Sequence, residues 1–405
     1  MRTIWCNVTA HALPPKGFWR QHVSPPAGEP AMLRIGLLDT TVRGAPGSMA
    51  RYRDQLLTSL RESAPESVQA TVEFLGCERE SLSRTPPRLR MYRQHFHIWN
   101  AARRLDVSRY DVLHVLDGSF AYLVSALPAC RIVVTVHDLI PRLQMDGNFP
   151  GAPAVGRAAR WLIQRSLAGI RKADRVCAVS QSTAKDMRRY GCEPASDIDV
   201  VPMAIEPELF PQAGGSHPAK GSSTQKLFHL GNNGFYKNRV GAIEVFRRID
   251  PRLQIELLMA GPEPDQTVRN VHTQSGVADR ISFVVDPDQA KLSEMYREAG
   301  AFIFPSVYEG FGWPPLEAMC VGCPVVSSDA GSLPEVVGQA GIVTPAGDYD
   351  AMARACERLL TDQNYRQRYV AAGTERAKQF SRLRLAERML QIYKETVEAA
   401  SHDSA

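Results

Sequence analysis

Short apolar runs alternate with stretches of helical spacing along most of the chain. In the first half the runs are Leu33 to Asp39 (LRIGLLD), Thr71 to Leu75, Asp111 to Asp117, Arg131 to Val136, Arg175 to Val179 and Ile198 to Pro202. Runs this short and this apolar suit strands buried in a parallel sheet. Between them, Met49 to Glu62 repeats its apolar residues at helical spacing, and Arg157 to Lys172 carries Ala159, Leu162, Ile163, Leu167 and Ile170 on one face. The segment Ser180-Gln-Ser-Thr183 opens another helix, with Thr183 and Asp186 spaced as a capping pair. In the second half the runs are Lys226 to Leu230, Gln254 to Gly261, Ile281 to Val285, Ala301 to Phe304 and Pro324 to Ser327, with a helix at Gln289 to Glu298. Leu385, Ala386, Met389, Leu390, Tyr393 and Val397 form a closing helical stripe. Both halves alternate strand and helix. The class is therefore α/β, with two doubly wound domains facing each other across a cleft.

The 405 residues suffice for two domains that each bury a core. Pro211 to Gln225 is rich in Pro, Gly, Ser and Lys and marks a linker over 213–225, between a first domain at 32–212 and a second at 226–383. Residues 1–31 hold five prolines and no apolar segment of a signal peptide. They read as a poorly ordered arm, or as an upstream start with Met32 as the true initiator.

The richest stretch runs from Ala301 to Asp329, AFIFPSVYEGFGWPPLEAMCVGCPVVSSD. It reads as strand, glycine loop, short helix and strand, with Pro314-Pro315 in the first helical turn, where the amides lack intrahelical partners. A glycine loop feeding a helix N-terminus attracts anions. Glu309 and Glu317 flank it and would accept hydrogen bonds from hydroxyls. A ligand carrying both phosphates and hydroxyls is a nucleotide sugar.

This pattern, strand–E-G-F-G–x-P-x-x-E–helix–G-x-P-V-V with glutamates eight positions apart, resembles the signature of retaining glycosyltransferases of the GT-B fold, family 4. The resemblance extends from about Leu33 to Val397. It implies two Rossmann-like domains, with the last helix, near 384–400, crossing back to the first. It also implies a hexosyl transfer, mannosyl among the candidates, from a nucleotide-diphosphate sugar to a saccharide or lipid-linked acceptor in cell-surface polysaccharide synthesis. The first domain would take the acceptor and the second the donor.

Residue by residue, the resemblance assigns Glu309 to the donor sugar, Glu317 to ribose hydroxyls and the amides of Gly310, Phe311 and Gly312 to the sugar or distal phosphate. His137, in the run His137-Asp138-Leu-Ile-Pro141, approaches the donor sugar; a strand-end structural histidine is the alternative. Gly231-Asn-Asn-Gly-Phe-Tyr-Lys237-Asn-Arg239 is a second strand–glycine loop–helix site. There Lys237 matches the family's phosphate-binding lysine. Asn232 stands where an arginine is usual, and Arg239 is near enough in sequence to replace that charge. The first β–α loop matches as Gly47-Ser-Met-Ala-Arg51-Tyr52, keeping one glycine, the Arg and the Tyr. The catalytic set is thus His137, Glu309 and Lys237.

No cofactor beyond the nucleotide sugar is expected, and no metal. Asp286-Pro-Asp288 looks like a D-x-D metal motif, but its place between a strand and a helix predicts capping. Cys320-Val-Gly-Cys323 lacks a second pair at zinc spacing and reads as structural.

Charge is uneven: the first 215 residues hold 27 Lys+Arg against 20 Asp+Glu, within a net charge of +5. Arg84, Arg88, Arg90, Arg93, Arg103 and Arg104 interleave with Tyr92, Phe96 and Trp99; Arg157, Arg160, Trp161, Arg165 and Arg171 share a helix face. Either these are solvated basic faces or they make peripheral contact with an anionic membrane. No nucleic-acid motif accompanies them, so no nucleic-acid partner is expected. A cytoplasmic enzyme, at the inner face of the plasma membrane, fits. The alternatives are a sugar-nucleotide epimerase or phosphorylase of the same fold, or a non-catalytic sugar-nucleotide- or nucleic-acid-binding protein.

Overall fold

Apolar runs bounded by loop residues become two all-parallel sheets in the computed structural model, which describes residues 32–45, 47–194, 196–206, 208 and 225–402. The arm expected at 1–31 and nearly all of the linker expected at 213–225 lie outside the described residues.

The first sheet is built from β1 (Leu33–Asp39), β2 (Val68–Phe74), β3 (Val112–Val115), β4 (Arg131–Val136), β5 (Arg175–Ala178) and β6 (Ile198–Val200), in the order β2-β1-β3-β4-β5-β6. Its helices are α1 (Ser48–Ser63), α2 (Arg79–Ser83), α3 (Pro87–Arg103), α4 (Ile140–Met145), α5 (Arg157–Ile170) and α6 (Gln181–Arg189). The second sheet contains β7 (Gln225–Leu230), β8 (Ile255–Gly261), β9 (Ile281–Val285), β10 (Ala301–Phe304), β11 (Val325–Ser328) and β12 (Ile342–Thr344), ordered β12-β11-β10-β7-β8-β9. Its helices are α7 (Arg239–Phe246), α8 (Gln266–Gln274), α9 (Gln289–Glu298), α10 (Trp313–Cys320), α11 (Leu333–Val337), α12 (Tyr349–Thr361) and α13 (Gln363–Ala377), followed by α14 (Arg382–His402). Strand order reverses between β1 and β3 in one sheet and between β10 and β7 in the other. Ligands of open α/β sheets bind outside the carboxyl ends of strands at such reversals.

Fully buried strands such as Ala301–Phe304 need no alternation, because helices cover both faces. The closing helix α14 does return to the first domain. It packs on α1, β3 and β4, and Leu385, Ala386, Met389, Ile392 and Tyr393 are buried there. Leu390 and Val397 of the expected stripe are only partly buried, at the margin of the same core.

One local expectation fails. Thr183 and Asp186 do not form the cap of α6: Ser180 occupies the N-cap and its hydroxyl accepts the Thr183 amide at 3.0 Å. Three residues separate donor and cap in either reading, and serine, extended at φ −157°, lies one turn earlier. Asp186 is instead taken by the Tyr308 hydroxyl of the second domain. The capping reading of Asp286-Pro-Asp288 holds, since the Asp288 carboxylate accepts the Lys291 amide at 2.8 Å at the start of α9. Cys320 and Cys323 are buried thiols that form no disulfide, and burial pushes them up to about 11 and about 12.

Candidate active site

The loops that leave β7 and β10 at the reversal of the second sheet are sewn together. The Val307 amide donates to the Tyr236 carbonyl at 2.8 Å, and Asn238 Nδ2 donates to the Pro305 carbonyl at 2.8 Å. Asn238 adopts φ +50°, a left-handed conformation that asparagine tolerates, and its Oδ1 caps α7 by accepting the Gly241 amide at 3.0 Å. With the loops so fixed, Lys237 Nζ donates to both oxygens of Glu309 at 2.9 Å. The Ser306 hydroxyl donates to Glu309 Oε1 at 2.8 Å. The pair is mostly withdrawn from solvent, with side-chain exposures of 15% and 8%.

Gly310 is where the two domains meet. A Cβ on it would lie 1.9 Å from the His137 carbonyl oxygen and 2.8 Å from Asp138 Cβ, so only glycine fits. Gly312 adopts φ +108° just before α10, which also favours glycine. Thr183 Oγ1 lies 3.2 Å from the His137 carbonyl and 3.4 Å from that of Gly310, bridging both sides of the seam. The Ser332 hydroxyl reaches the carbonyls of Glu309 and Phe311, at 3.1 and 2.6 Å, and holds the donor loop from behind. The Phe311 ring stands edge-on to Phe380.

His137 is buried at the carboxyl end of β4. Its Nε2 lies 2.9 Å from the Leu116 carbonyl, so Nε2 carries the proton and Nδ1 holds a lone pair. That Nδ1 is buried without a hydrogen-bond partner among the described residues, and burial holds the imidazole below its ordinary value. Tyr52 stands edge-on to the ring, with centroids 4.8 Å apart. Behind it, Tyr52 OH, Thr135 Oγ1, His114 and the Tyr393 hydroxyl of α14 form a buried chain of contacts at 3.2, 2.8 and 2.7 Å.

Glu317 is 3% exposed, and both its oxygens are engaged. Tyr296 OH donates to Oε2 at 2.8 Å, while Arg51 Nη1 of the first domain ion-pairs with Oε1. Arg51 also donates through Nε to Glu206 Oε2 at 2.8 Å and lies 4.6 Å over the Trp313 ring. Trp313 Nε1 donates to the Ala204 carbonyl at 2.9 Å, a further bond across the domains.

The remaining sequence-nominated residues are placed less centrally. Arg239 is 3% exposed, and its Nη1 donates to Asn233 Oδ1 and the Pro262 carbonyl, at 2.6 and 2.9 Å. In this structure it braces the glycine loop. Asn232 is exposed and its Oδ1 accepts the Gly234 amide at 2.8 Å. Gly47 is the N-cap of α1 at φ 170°, with open space around it, so neither sterics nor backbone demands glycine there.

Comparisons with known proteins agree with this fold. The family model described as Glycosyltransferase Family 4 matches residues 56–209, and that described as Glycosyl transferases group 1 matches residues 217–376. The chain is 32% identical over 222 residues to O-antigen chain mannosyltransferase B of Escherichia coli, covering 51% of this chain and 56% of that protein. It is 28% identical over 284 residues to MMP alpha-(1->4)-mannosyltransferase of Mycolicibacterium hassiacum, covering 66% of each. The chain thus spans less than two thirds of the length of these relatives. Among solved structures, sucrose-phosphate synthase from Thermosynechococcus elongatus superposes with a TM-score of 0.74 at 20% identity, over 91% of this chain and all of that one. At that identity the likeness speaks for the fold, two Rossmann-like domains in the GT-B arrangement.

Proposed function

We propose, because the chain belongs to the glycosyl transferases of group 1 and family 4, that it moves a hexosyl group from a nucleotide-diphosphate sugar to a saccharide or lipid-linked saccharide. A mannosyl group is the leading candidate, since both relatives named above are mannosyltransferases. The observation that carries this reading is the bidentate Lys237–Glu309 pair at the reversal of the second sheet, beside a glycine pressed against His137.

In this reading the diphosphate lies over the loop after β7 and the N-terminus of α10, where amides and helix dipoles favour negative charge. Lys237 stabilises the charge that builds on the leaving diphosphate; a fixed cation does there what a metal ion does elsewhere. His137 Nδ1 accepts from a hydroxyl of the sugar, and Glu309 from another. Glu317 receives the ribose hydroxyls as Arg51 yields one of its oxygens. Transfer retains the anomeric configuration, which the proton spectrum of the first-formed product would report.

A thermal-shift panel of GDP-mannose, UDP-glucose and other nucleotide sugars tests the assignment. At least one should raise the melting temperature of the wild type and leave that of Lys237→Ala unmoved; a panel without effect on either protein defeats the reading. EDTA should leave turnover unchanged, and its abolition of turnover would return a metal to the mechanism.

The membrane-facing surface belongs to the same proposal. Tyr92 and Phe96 on α3 and Trp161 on α5 are 57%, 68% and 60% exposed. They stand among exposed Arg88, Arg93, Arg157, Arg160 and Arg165. Both helices pack against the segment Gly118–Ser125, α3 through His95 on Tyr122 and α5 through Ser166 on Ser119. Arginine and aromatic residues together suit an anionic interface. No helix among the described residues is long and apolar enough to cross a membrane. Peripheral docking at the inner face of the plasma membrane predicts flotation with phosphatidylglycerol vesicles and none with neutral ones; equal behaviour with both refutes it.

A further inference from the structure

A short arch of the first domain, Gly147-Asn-Phe-Pro-Gly151, follows α4 and lies against the donor loops of the second domain. Its shape is written in its residues. Gly147 adopts φ +74°, where glycine is favoured. Phe149 to Ala152 is a turn with proline second and glycine, at φ +79°, third, closed by the Ala152 amide donating to the Phe149 carbonyl at 3.1 Å. Both feet are tied down. Asn148 donates to the Leu143 carbonyl through its backbone amide and its Nδ2, at 3.1 and 3.0 Å. Gln144 Nε2 donates to the Pro153 carbonyl at 2.5 Å.

So held, the arch carries Phe149 across the domain boundary. Its ring meets Phe235 with centroids 5.2 Å apart and Tyr308 at 5.9 Å. Phe235 lies two residues before Lys237, and Tyr308 immediately precedes Glu309. One side chain therefore touches both loops that carry the ion pair. Phe235 stands edge-on to Tyr236, and the Tyr236 ring lies 5.4 Å from Lys237 Nζ. Ile140, Leu143 and Tyr308 are buried in the same cluster, with Phe149, Phe235 and Tyr236 packed against them. An apolar wall thus runs from the first domain to the ammonium group.

We infer that this arch is a water seal, and that Phe149 keeps the activated sugar for the acceptor instead of losing it to hydrolysis. The inference rests on the glycosyl-transfer reading given above. In the side reaction a water oxygen bonds to the anomeric carbon and a proton of that water passes to solvent. The bond from the anomeric carbon to the phosphate oxygen breaks, and its electron pair leaves with the nucleoside diphosphate. Closing a site against water suppresses such losses, and the apolar surroundings strengthen the charge of Lys237. Because the arch and the loops belong to different domains, the seal forms only when the domains meet: donor enters the open cleft and is shielded in the closed one. Phe149 is a positioning residue, acting through the loops it covers.

The test uses Phe149→Ala, which removes the ring, and Phe149→Leu, which keeps an apolar plug. Calorimetry measures binding of GDP-mannose and UDP-glucose, and free mannose or glucose is assayed with no acceptor present. Hydrogen exchange without donor is followed in peptides over 231–238 and 305–312. Phe149→Ala should release free sugar at least about 5-fold faster than wild type and raise exchange in both peptides about 10-fold, while Phe149→Leu stays within about 2-fold on both counts. Exchange over β3 and β4 should match wild type in both variants, as it does in a folded domain. Free-sugar release no faster in Phe149→Ala than in wild type would overturn the inference, whether or not exchange rises. Wild-type protein that binds neither donor would remove the reading beneath it, a failure that calorimetry separates from failure of the seal.

Discussion

Glu309 and Glu317 lie eight residues apart on one loop and helix, both are buried, and each is gripped by one basic residue. The cations come from opposite halves of the molecule. Lys237 reaches Glu309 from within the second domain, over loops that are hydrogen-bonded to each other. Arg51 reaches Glu317 from the first domain, and it is helped by Glu206 and Trp313. The first pair is therefore preformed whatever the cleft does, while the second exists only when the domains are together. In the donor complex proposed above, recognition would divide accordingly: a rigid diphosphate end, and a ribose end whose carboxylate depends on closure.

Lys237→Ala should have the largest effect. It leaves a buried carboxylate with only Ser306, so a urea titration should show a loss of about 3–5 kcal/mol, and donor binding should weaken with it. A loss below about 1 kcal/mol with unchanged donor affinity would mean that the pair is not the rigid end. Arg51→Ala comes next, at about 2 kcal/mol, because Arg51 keeps 22% exposure and solvent screens part of its charge. Its distinguishing sign is geometric: small-angle scattering should report a wider particle, whereas Lys237→Ala should not change the radius. Trp313→Phe removes one interdomain hydrogen bond, to the Ala204 carbonyl, and should cost about 1 kcal/mol by the same titration.

The smallest effect at neutral pH comes from the histidines buried near each reversal. His114 on β3 and His229 on β7 are held by burial at about 3 and about 4. Their folded forms refuse a proton that the unfolded chain accepts below about 6.5. The melting temperature should thus hold near pH 7 and fall as pH drops from about 6.5 toward 3, with His114→Gln flattening that slope. A slope equally steep in the variant would clear His114 of the role.

Much of this site is local in sequence, and that part is legible there. The alternation of buried runs and helical stretches follows from burial on both sheet faces, so both domains and the crossing of α14 can be expected from it together with the family resemblance. E-G-F-G followed by P-P dictates a tight turn and a helix start within ten residues, and both are present. Contacts across the cleft carry no such trace. Arg51 and Glu317 are 266 residues apart, and although the resemblance of the first β–α loop picks out that arginine, nothing local names Glu317 as its partner. Ser306, Ser332 and Tyr296 are ordinary residues until the loops fold over them. Proximity in sequence nominates Arg239 for phosphate, yet helix geometry turns it onto Asn233 and Pro262. The cap of α6 escapes sequence reasoning because serine and threonine are both capping residues three positions apart, and only the backbone angles choose between them.

We place the diphosphate of an activated sugar, by proposal, at the reversal of the second sheet, between Lys237 and the glycine loops. A crystal structure with GDP-mannose tests it most directly. Phosphate oxygens should lie against the loops 231–238 and 310–312, with Lys237 Nζ within about 3 Å of one of them. A nucleotide bound in the first-domain crevice, with the Lys237–Glu309 pair left untouched, would contradict it.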